Sequence, residues 1–232
     1  SRVQTTEALV AAIERATRRP RVLVSGSAIG YYGPHGDEEL TESAPPGTDF
    51  MAEVCVAWER AARQAEPLGV RVALVRTGIV LDRREGALAT MVPIFKWVPG
   101  GAAPVGGSLF GAGRQWMSWI HRTDIVGLFV LALDRDGATG PLNGTAPHPV
   151  RNHEFSHALA RAVHRPFVPI GPPDFLLRAV LGDVTQVIAT GQRVLPARAE
   201  TLGYTFLFPD LPAALGDLFQ ARRPEPAAAA TR

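Results

Sequence analysis

Short apolar runs rich in β-branched residues alternate along this chain with segments of helical periodicity, and this alternation constrains the fold more than any single motif. The two longest runs of the buried-strand type are RVLVS, which ends at Ser25, and VRVALVRTGIVL at 70–81. Helical spacing predicts helices at 5–16, 49–64, 86–97, 123–133 and from 152 onward, with strand-like WMSWIH, GPLNGTA and FVPI among them. Alternation of this kind predicts an α/β fold whose parallel sheet is covered by helices.

The helix ends carry recognisable capping residues. Thr5 or Thr6 is the expected cap of the first helix, Asp49 of the second and Thr123 of the fourth. Pro93 interrupts the third helical segment, and a long Gly-rich loop follows it.

The length of 232 residues permits one large domain, or one domain with a small appendage. The character of the chain changes near Pro172, where short helices replace the alternation. The predicted organisation is therefore a main domain at 1–171, a small mostly helical region at 172–220, and a frayed low-complexity tail at 221–232.

Composition argues against several classes of protein. The formal charge is only +2 and the arginines are scattered, so no basic stripe for nucleic acid is visible. No apolar run approaches the roughly 20 residues of a membrane span, and the first residues do not resemble a signal peptide. Cys55 is the only cysteine, which excludes an internal disulfide and a cysteine zinc site. We expect a cytoplasmic protein that uses a small-molecule substrate.

Hydroxyl-bearing residues cluster where the first strand ends, in the stretch VLVSGSAIGYYG at 22–33. The side chains of Ser25, Ser27, Tyr31 and Tyr32 are suited to bind substrate oxygens at an active-site rim. The alternative is an ordinary turn in which the hydroxyls satisfy nearby backbone groups. The residue spacing leaves both interpretations open.

The second long strand runs into Arg76, Thr77 and Gly78. Arg76 is suited to bind a phosphate or to pair with an internal acid, and Gly78 allows close approach of a ligand or simply forms a turn. Because the carboxyl ends of parallel strands share one edge, we expect this segment, Ser25–Ser27 and the Gly-rich loop to lie near one another.

Two further motifs have competing interpretations. The segment GRQWMSWIHRTD carries Arg114 as a candidate anion-binding residue, whereas His121 and Asp124 could cap the next helix. The segment HEFSH fits the pattern H-E-x-x-H, in which His153 and His157 would bind zinc. Solvent-exposed side chains in the first turns of an ordinary helix are the alternative, and no metal site is predicted.

The combination of these blocks resembles one family. VLVSGSAIGYYG, CVAWERAA, VRVALVRTGIVL, GAGRQWMSWIHRTDIV and GPLNGTAPHPVRNHEFSHALARAVHRP, in this order, are similar to the epimerase-like subgroup of the extended short-chain dehydrogenase/reductases. The segment LLRAVLGDVTQVIATGQRVLPARAETLGYTFLFPDLPAALGDLF resembles the C-terminal domain of unknown function of that subgroup. The resemblance covers the chain up to about Phe219 and implies a Rossmann-like, doubly wound parallel sheet that binds NAD or NADP.

The chain departs from the family pattern in two places. The family begins with a Gly-rich strand-turn-helix that holds the cofactor pyrophosphate, and nothing like G-x-x-G-x-x-G stands near Ser1. We therefore expect an N-terminally incomplete sheet, and a missing N-terminal half. The family also uses a Tyr-x-x-x-Lys pair, whereas the corresponding helix reads EVCVAWERAAR.

The resemblance also implies roles for individual residues. Ser27 matches the family serine that touches a substrate hydroxyl, and Tyr31 is the candidate for the missing catalytic tyrosine. Thr77 and Gly78 match the loop near the nicotinamide and Arg114 an arginine that faces the anionic part of the substrate, whereas His121 and Asp124 match a largely structural strand-to-helix step. The predicted cofactor-binding residues are Ser25, Gly26, Thr77 and Gly78, and the predicted substrate-binding residues are Tyr32, Arg114 and His121.

Two functions follow from the resemblance. The first is an oxidoreductase-type epimerase or reductase with an NAD(P) cofactor and a nucleotide-linked substrate. The second is a degenerate, non-catalytic relative that serves as a binding module. An incomplete sheet would expose a strand edge, which predicts self-association or low stability.

Overall fold

The computed structural model describes residues 1–96, 113–165 and 191–219. Its centre is a parallel sheet of three strands, β1 (Val22–Ala28), β3 (Arg71–Thr77) and β7 (Gly140–Gly144), in the order β1-β3-β7. β3 is the middle strand and five consecutive residues of it are buried, as expected of a strand covered on both faces.

Helices cover both faces of this sheet. On one face α1 (Arg2–Arg15) and α2 (Phe50–Arg63) pack with Leu23, Val72 and Leu74. On the other face α4 (Arg122–Asp134) packs with Val75, and with Val24 at its margin. The predicted α/β fold, with a parallel sheet between helices, is confirmed.

The single strand predicted at 70–81 is wrong, because the chain leaves the central sheet at Gly78. The last residues form a separate strand, β4 (Ile79–Leu81), which pairs in parallel with β6 (Trp119–His121). A Cβ at residue 78 would overlap the Ser118 carbonyl oxygen and lie 2.9 Å from Thr145 Cγ2. Glycine is required here because β3 and the β6 segment approach each other closely.

Two small strand pairs lie outside the central sheet, and the first of them connects the C-terminal part to the rest. β2 (Glu39–Leu40) pairs in parallel with β9 (Arg193–Val194), and β5 (Trp116–Met117) pairs antiparallel with β8 (Val150–Arg151).

The remaining helices are α3 (Gly86–Lys96), α5 (Asn152–Ala162), α6 (Ala197–Thr201) and α7 (Leu211–Phe219). α6 and α7 both lie in the region at 172–220 that is predicted to be mostly helical. α5 and α7 bury their apolar sides in one cluster with Trp119 and Leu81. Pro93 lies inside α3, as the sequence indicates.

Of the three helix caps predicted from the sequence, only that of α2 is confirmed. Asp49 caps α2 by accepting the Ala52 N–H at 2.8 Å. α1 already begins at Arg2, so Thr5 and Thr6 lie inside it and their hydroxyls donate to carbonyls one turn earlier. His121, rather than Thr123, caps α4.

Several predicted features lie outside the described residues, namely the strand FVPI, most of the Gly-rich loop, the first part of the C-terminal region and the tail. Among the helices that the structure describes, none combines the length and the apolar character required to cross a bilayer.

Candidate active site at the ends of two strands

The ends of β1 and β3 lie side by side, as the sequence predicts. Ser27 is in register with Arg76, and Ala28 with Thr77. A 3₁₀ turn at Ile29–Tyr32 follows β1 directly and brings both tyrosines to the same place. The distance between neighbouring strands therefore sets the spacing of the candidate residues.

Glu59 of α2 lies at the centre of this group. Its Oε1 accepts the Ser27 hydroxyl at 2.8 Å and the Arg76 Nε–H at 2.8 Å, while Oε2 accepts an N–H of Arg76 Nη2 at 2.9 Å. As whole residues, Glu59 is 4% exposed and Arg76 is 2% exposed. Of the two alternatives for Arg76, the structure supports pairing with an internal acid.

The guanidinium of Arg76 is also in contact with both tyrosines. Its Nη1 donates to the Tyr32 hydroxyl at 3.0 Å, and its Cζ lies 3.3 Å from the centre of the Tyr31 ring. Desolvation lowers the pKa of Arg76, but the hydrogen bonds and charge interactions with Glu59 and Tyr32 together outweigh it, so the pKa is raised. Burial raises the pKa of Tyr32 to about 12, so this phenol stays protonated at neutral pH.

The network continues into β7 through Asn143. The Tyr32 hydroxyl donates to Asn143 Oδ1 at 2.6 Å, and Asn143 Nδ2 donates to the Leu195 carbonyl at 2.9 Å. Glu42 accepts the Asn143 N–H at 2.9 Å and also the N–H of Arg198. One hydrogen-bonded system thus connects the 3₁₀ turn, the sheet and the C-terminal segment.

The two predicted catalytic residues differ in accessibility. Ser27 is 4% exposed, with its proton directed to Glu59, whereas Tyr31 is half-buried with its ring stacked on Arg76. Tyr32, predicted to bind substrate, has no exposed surface, and its hydroxyl is occupied by Arg76 and Asn143. The roles of these residues in substrate binding or catalysis stay predictions.

The four residues predicted to bind the cofactor fit such a group only in part. Thr77 is half-buried at the sheet edge and its backbone is next to the candidate catalytic residues. Gly78 is tightly packed against Ser118, and a Cβ at Gly26 would lie 3.4 Å from the Trp58 ring. Ser25 is buried, and its hydroxyl donates to the Gly26 carbonyl at 3.1 Å.

A pyrophosphate requires a free helix N-terminus or a similar nest of N–H groups. The N-termini of α2, α4 and α5 are each capped by side chains of the chain itself. Gly30, Gly33 and Gly36 do have G-x-x-G-x-x-G spacing, but the next element is the two-residue strand β2 instead of a helix. These three helix N-termini therefore offer no free nest of N–H groups for a pyrophosphate.

Arg114 belongs to a second cluster, centred on Trp116. The Arg114 carbonyl accepts from Arg151 Nη1, and the Arg151 guanidinium lies 3.9 Å from the centre of the Trp116 ring. Asp37 accepts the Trp116 indole N–H at 3.1 Å and an N–H of Arg151 at 2.6 Å. The hydrogen bond from Arg151 lowers the pKa of Asp37. The side chain of Arg114 is exposed beside this cluster.

His121, predicted to bind substrate, is fully buried. Its Nδ1 accepts the Thr123 N–H at 3.1 Å, and its Nε2 lies 3.3 Å from Asp217 Oδ2. Burial lowers the pKa of the ring. In this geometry both ring nitrogens face groups of the chain itself, which fits a helix cap better than a substrate contact.

Asp124 holds the C-terminal segment against α4. Its carboxylate accepts the N–H groups of Leu207 and Phe208 at 2.8 and 3.0 Å, and the Tyr204 hydroxyl at 3.2 Å. Burial, reinforced by this carboxylate, raises the pKa of Tyr204.

The HEFSH motif lies in the first turns of α5, and His153 Nδ1 is 3.0 Å from the Gly113 carbonyl oxygen. Within residues 1–96, 113–165 and 191–219, no group of three or more His, Cys, Asp or Glu side chains is placed to hold a metal ion.

A groove of about 860 Å³ runs between α5 and α7. None of the predicted site residues lines this groove. The residues that line it are Val150, His153, Glu154, His157, Ala158, Arg161, Ala162, His164, Leu211, Pro212, Leu215, Gly216 and Phe219.

Sequence reasoning missed Glu59, Asn143 and Glu42. Glu59 carried a usable signal, since it lies one turn after Cys55 on a helix face whose other members are apolar. A charged residue on a buried face needs a partner, and the partner here is Arg76. Asn143 and Glu42 gave no comparable signal, because nothing in the neighbouring sequence predicts their contacts.

Comparison with known proteins identifies the family. The model of the "NAD dependent epimerase/dehydratase family" matches residues 1–143, and that of a "domain of unknown function (DUF1731)" matches residues 172–218. The chain is 43% identical over 223 residues to the chloroplastic epimerase family protein SDR39U1 homolog of Arabidopsis thaliana, covering 95% of this chain and 61% of that protein. It is 36% identical over 225 residues to the epimerase family protein YfhF of Bacillus subtilis, covering 96% of this chain and 71% of that protein.

A crystal structure of human epimerase family protein SDR39U1 with NADPH matches at a TM-score of 0.82 and 33% identity, covering 94% of this chain and 72% of that one. The chain thus spans about three fifths to three quarters of the length of these relatives. The resemblance to the epimerase-like subgroup, with its C-terminal domain of unknown function, is confirmed. The chain belongs to the NAD dependent epimerase/dehydratase family.

Proposed function

We propose that this chain provides the substrate side of an NAD(P)-dependent epimerase or reductase that resides in the cytoplasm. The observation that supports it best is that the ends of β1 and β3 lie side by side, with Ala28 in register with Thr77 and the turn that carries Tyr31 directly after β1. In open α/β sheets, this edge is where ligands bind.

The dinucleotide, when bound, supplies hydride chemistry at its nicotinamide ring. Thr77 and the backbone after Ser27 are the residues that would lie beside that ring. Tyr31 is the candidate proton donor and acceptor, since its ring is held by Arg76 while the edge of the turn stays accessible.

Titration with NADPH and with NADH tests this function. The four tryptophans of the chain provide an energy-transfer signal to the reduced nicotinamide. Micromolar binding of either dinucleotide supports the proposal, and the tighter one identifies the cofactor. Lack of binding at millimolar dinucleotide contradicts it for this chain.

A second function, that of a non-catalytic binding module, is favoured by the outer edge of β1. Within the described part of the chain no strand pairs with this edge, and the run VLVSGSA has no proline or charge to discourage pairing. We propose that this edge leads to self-association. Analytical ultracentrifugation tests this proposal, and a monodisperse monomer at high concentration would contradict it.

A further inference from the structure

The groove between α5 and α7 contains none of the residues predicted to act in catalysis or binding, so it is a separate candidate site. Its volume of about 860 Å³ lies in the range of small-molecule pockets. The lining extends along α5 from His153 to His164, a rise of about 16 Å. A groove that follows a helix over this distance suits an extended chain better than a compact ring.

Much of the groove wall is apolar. α7 contributes Leu211, Leu215 and Phe219, and the half-buried Ala158 and Ala162 of α5 continue the same surface. All five side chains belong to, or pack against, the core cluster that α5 and α7 share. The wall is therefore fixed by the fold. Each methylene group buried against such a wall strengthens binding by up to about fourfold.

The charged groups of the groove stand on α5, and one of them is a permanent cation. Arg161 is exposed, and within residues 1–96, 113–165 and 191–219 its guanidinium forms no ion pair. Glu154, the acid of the described lining, lies seven residues earlier, about 10 Å along the helix axis. Its Oε2 accepts the Arg151 N–H at 2.6 Å. A ligand head group beside Arg161 therefore meets an uncompensated positive charge.

We infer that the groove between α5 and α7 binds a long-chain carboxylate, with its hydrocarbon along α7 and its head group at Arg161. A guanidinium holds a carboxylate by two parallel hydrogen bonds. One positive charge matches a carboxylate and would leave a phosphate monoester only partly neutralised. His164, which follows α5 with a left-handed backbone (φ 56°), lines the same end and offers a further ring N–H. This inference does not rest on the proposed function.

Decanoate and decylamine test the head-group preference, because they have the same chain length and opposite charges at neutral pH. Calorimetric titration gives the two affinities, and NMR shifts of the backbone amides at 153–164 and 211–219 locate the site. We expect decanoate to bind more tightly by roughly tenfold or more, the ratio that a hydrogen bond to a charged group produces. The affinity should also rise with each methylene from hexanoate to decanoate.

The variant Arg161→Gln removes the charge and should abolish the preference for decanoate, while the dependence on chain length persists. Arg165→Gln is the matched control, because Arg165 is exposed, is not part of the groove lining and carries the same charge. Ala158→Leu fills the groove with a good helix former and should weaken binding of every amphiphile equally. Because Arg161 is exposed, its variant remains informative even if Ala158→Leu does not fold.

Equal affinities of decanoate and decylamine overturn the inference, as does decanoate binding that does not shift the groove amides, or no binding at all. Vesicles of phosphatidylcholine and phosphatidylglycerol distinguish a free carboxylate from a membrane surface. If the protein sediments with these vesicles and decanoate leaves the groove amides unchanged, the inference is wrong. Dinucleotide titration is a separate measurement, so failure of the proposed function is distinguished from failure of this inference.

Discussion

Two clusters in this molecule use the same chemical groups, an arginine, an acid and an aromatic ring, in opposite surroundings. In the cluster around Glu59 and Arg76, the two charged side chains are 5% and 3% exposed. In the cluster around Trp116, Asp37 is 76% exposed and Arg151 is 26% exposed. The hydrogen-bond lengths are similar in the two clusters, so the difference between them is access to water.

Burial decides what each cluster contributes. A buried pair that loses one partner leaves a charge without water or counter-ion, whereas an exposed pair is resolvated when it is broken. The Glu59 cluster should therefore hold the fold and the geometry of the site. The Trp116 cluster should mainly orient the segment that carries Asp37 and Glu39.

The largest expected effect is that of Glu59→Ala. Removal of this carboxylate leaves the buried Arg76 unpaired, and we expect the free energy of unfolding to fall by about 3–5 kcal/mol. Urea denaturation followed by tryptophan fluorescence measures it. Asp37→Ala in the Trp116 cluster is the comparison, and its midpoint should stay near that of the unmodified protein. Equal shifts in the two variants would remove the distinction between the clusters.

The next effect is that of Tyr32→Phe, which removes one hydroxyl from the buried cluster. Asn143 Oδ1 loses its donor and Arg76 Nη1 loses its acceptor, so we expect a loss of about 1–3 kcal/mol in unfolding free energy. Tyr31→Phe is the control, because it keeps the ring that stacks on Arg76. A larger loss for Tyr31→Phe than for Tyr32→Phe would contradict the assignment of the buried hydroxyl.

The two clusters are expected to lose stability at opposite ends of the pH range. Burial raises the pKa of Tyr32 from 10.0 to about 12, so its contribution is complete below pH 10 and is lost as the pH rises through 12. The lowered pKa of Asp37 gives a contribution that is present above its usual value of 3.8 and lost as the pH falls through the folded value.

Urea midpoints measured across both ranges test these signs. The alkaline decrease should be reduced in Tyr32→Phe, and the acid decrease should be reduced in Asp37→Asn. An alkaline decrease of the same size in Tyr32→Phe would show that another group, such as Tyr204, is responsible.

The smallest expected effect is the salt response of the Trp116 cluster. The Debye length falls to about 3 Å in 1 M salt, so an exposed ion pair is screened while a buried pair is not. Any difference in midpoint between Asp37→Asn and the unmodified protein should disappear in concentrated NaCl. The effect of Glu59→Ala should persist there, and its loss in salt would show that the Glu59 cluster is open to solvent.

Several features were readable from the sequence because they depend on local periodicity. The alternation of apolar runs with helical segments predicted the parallel sheet and its covering helices. The predicted strand ends indicated that Ser27 and Arg76 lie near each other. The strand break at Gly78 was not predicted, since the apolar pattern of VRVALVRTGIVL resumes directly after it and the last three residues pair with a segment about 40 residues later. The capping role of His121 was one of two open interpretations, and tertiary packing favoured it by burying the ring.

What the sequence by itself determined is the order of strands and helices, because backbone periodicity and residue size act over a few neighbours. What only the tertiary structure decided is which partner each polar group takes. Arg76 meets Glu59 across 17 residues, and Tyr32 meets Asn143 across 111. Such pairs form because a buried polar group needs a hydrogen-bond partner. The packed fold brings that partner from a distant part of the sequence, so the neighbouring residues do not predict its position.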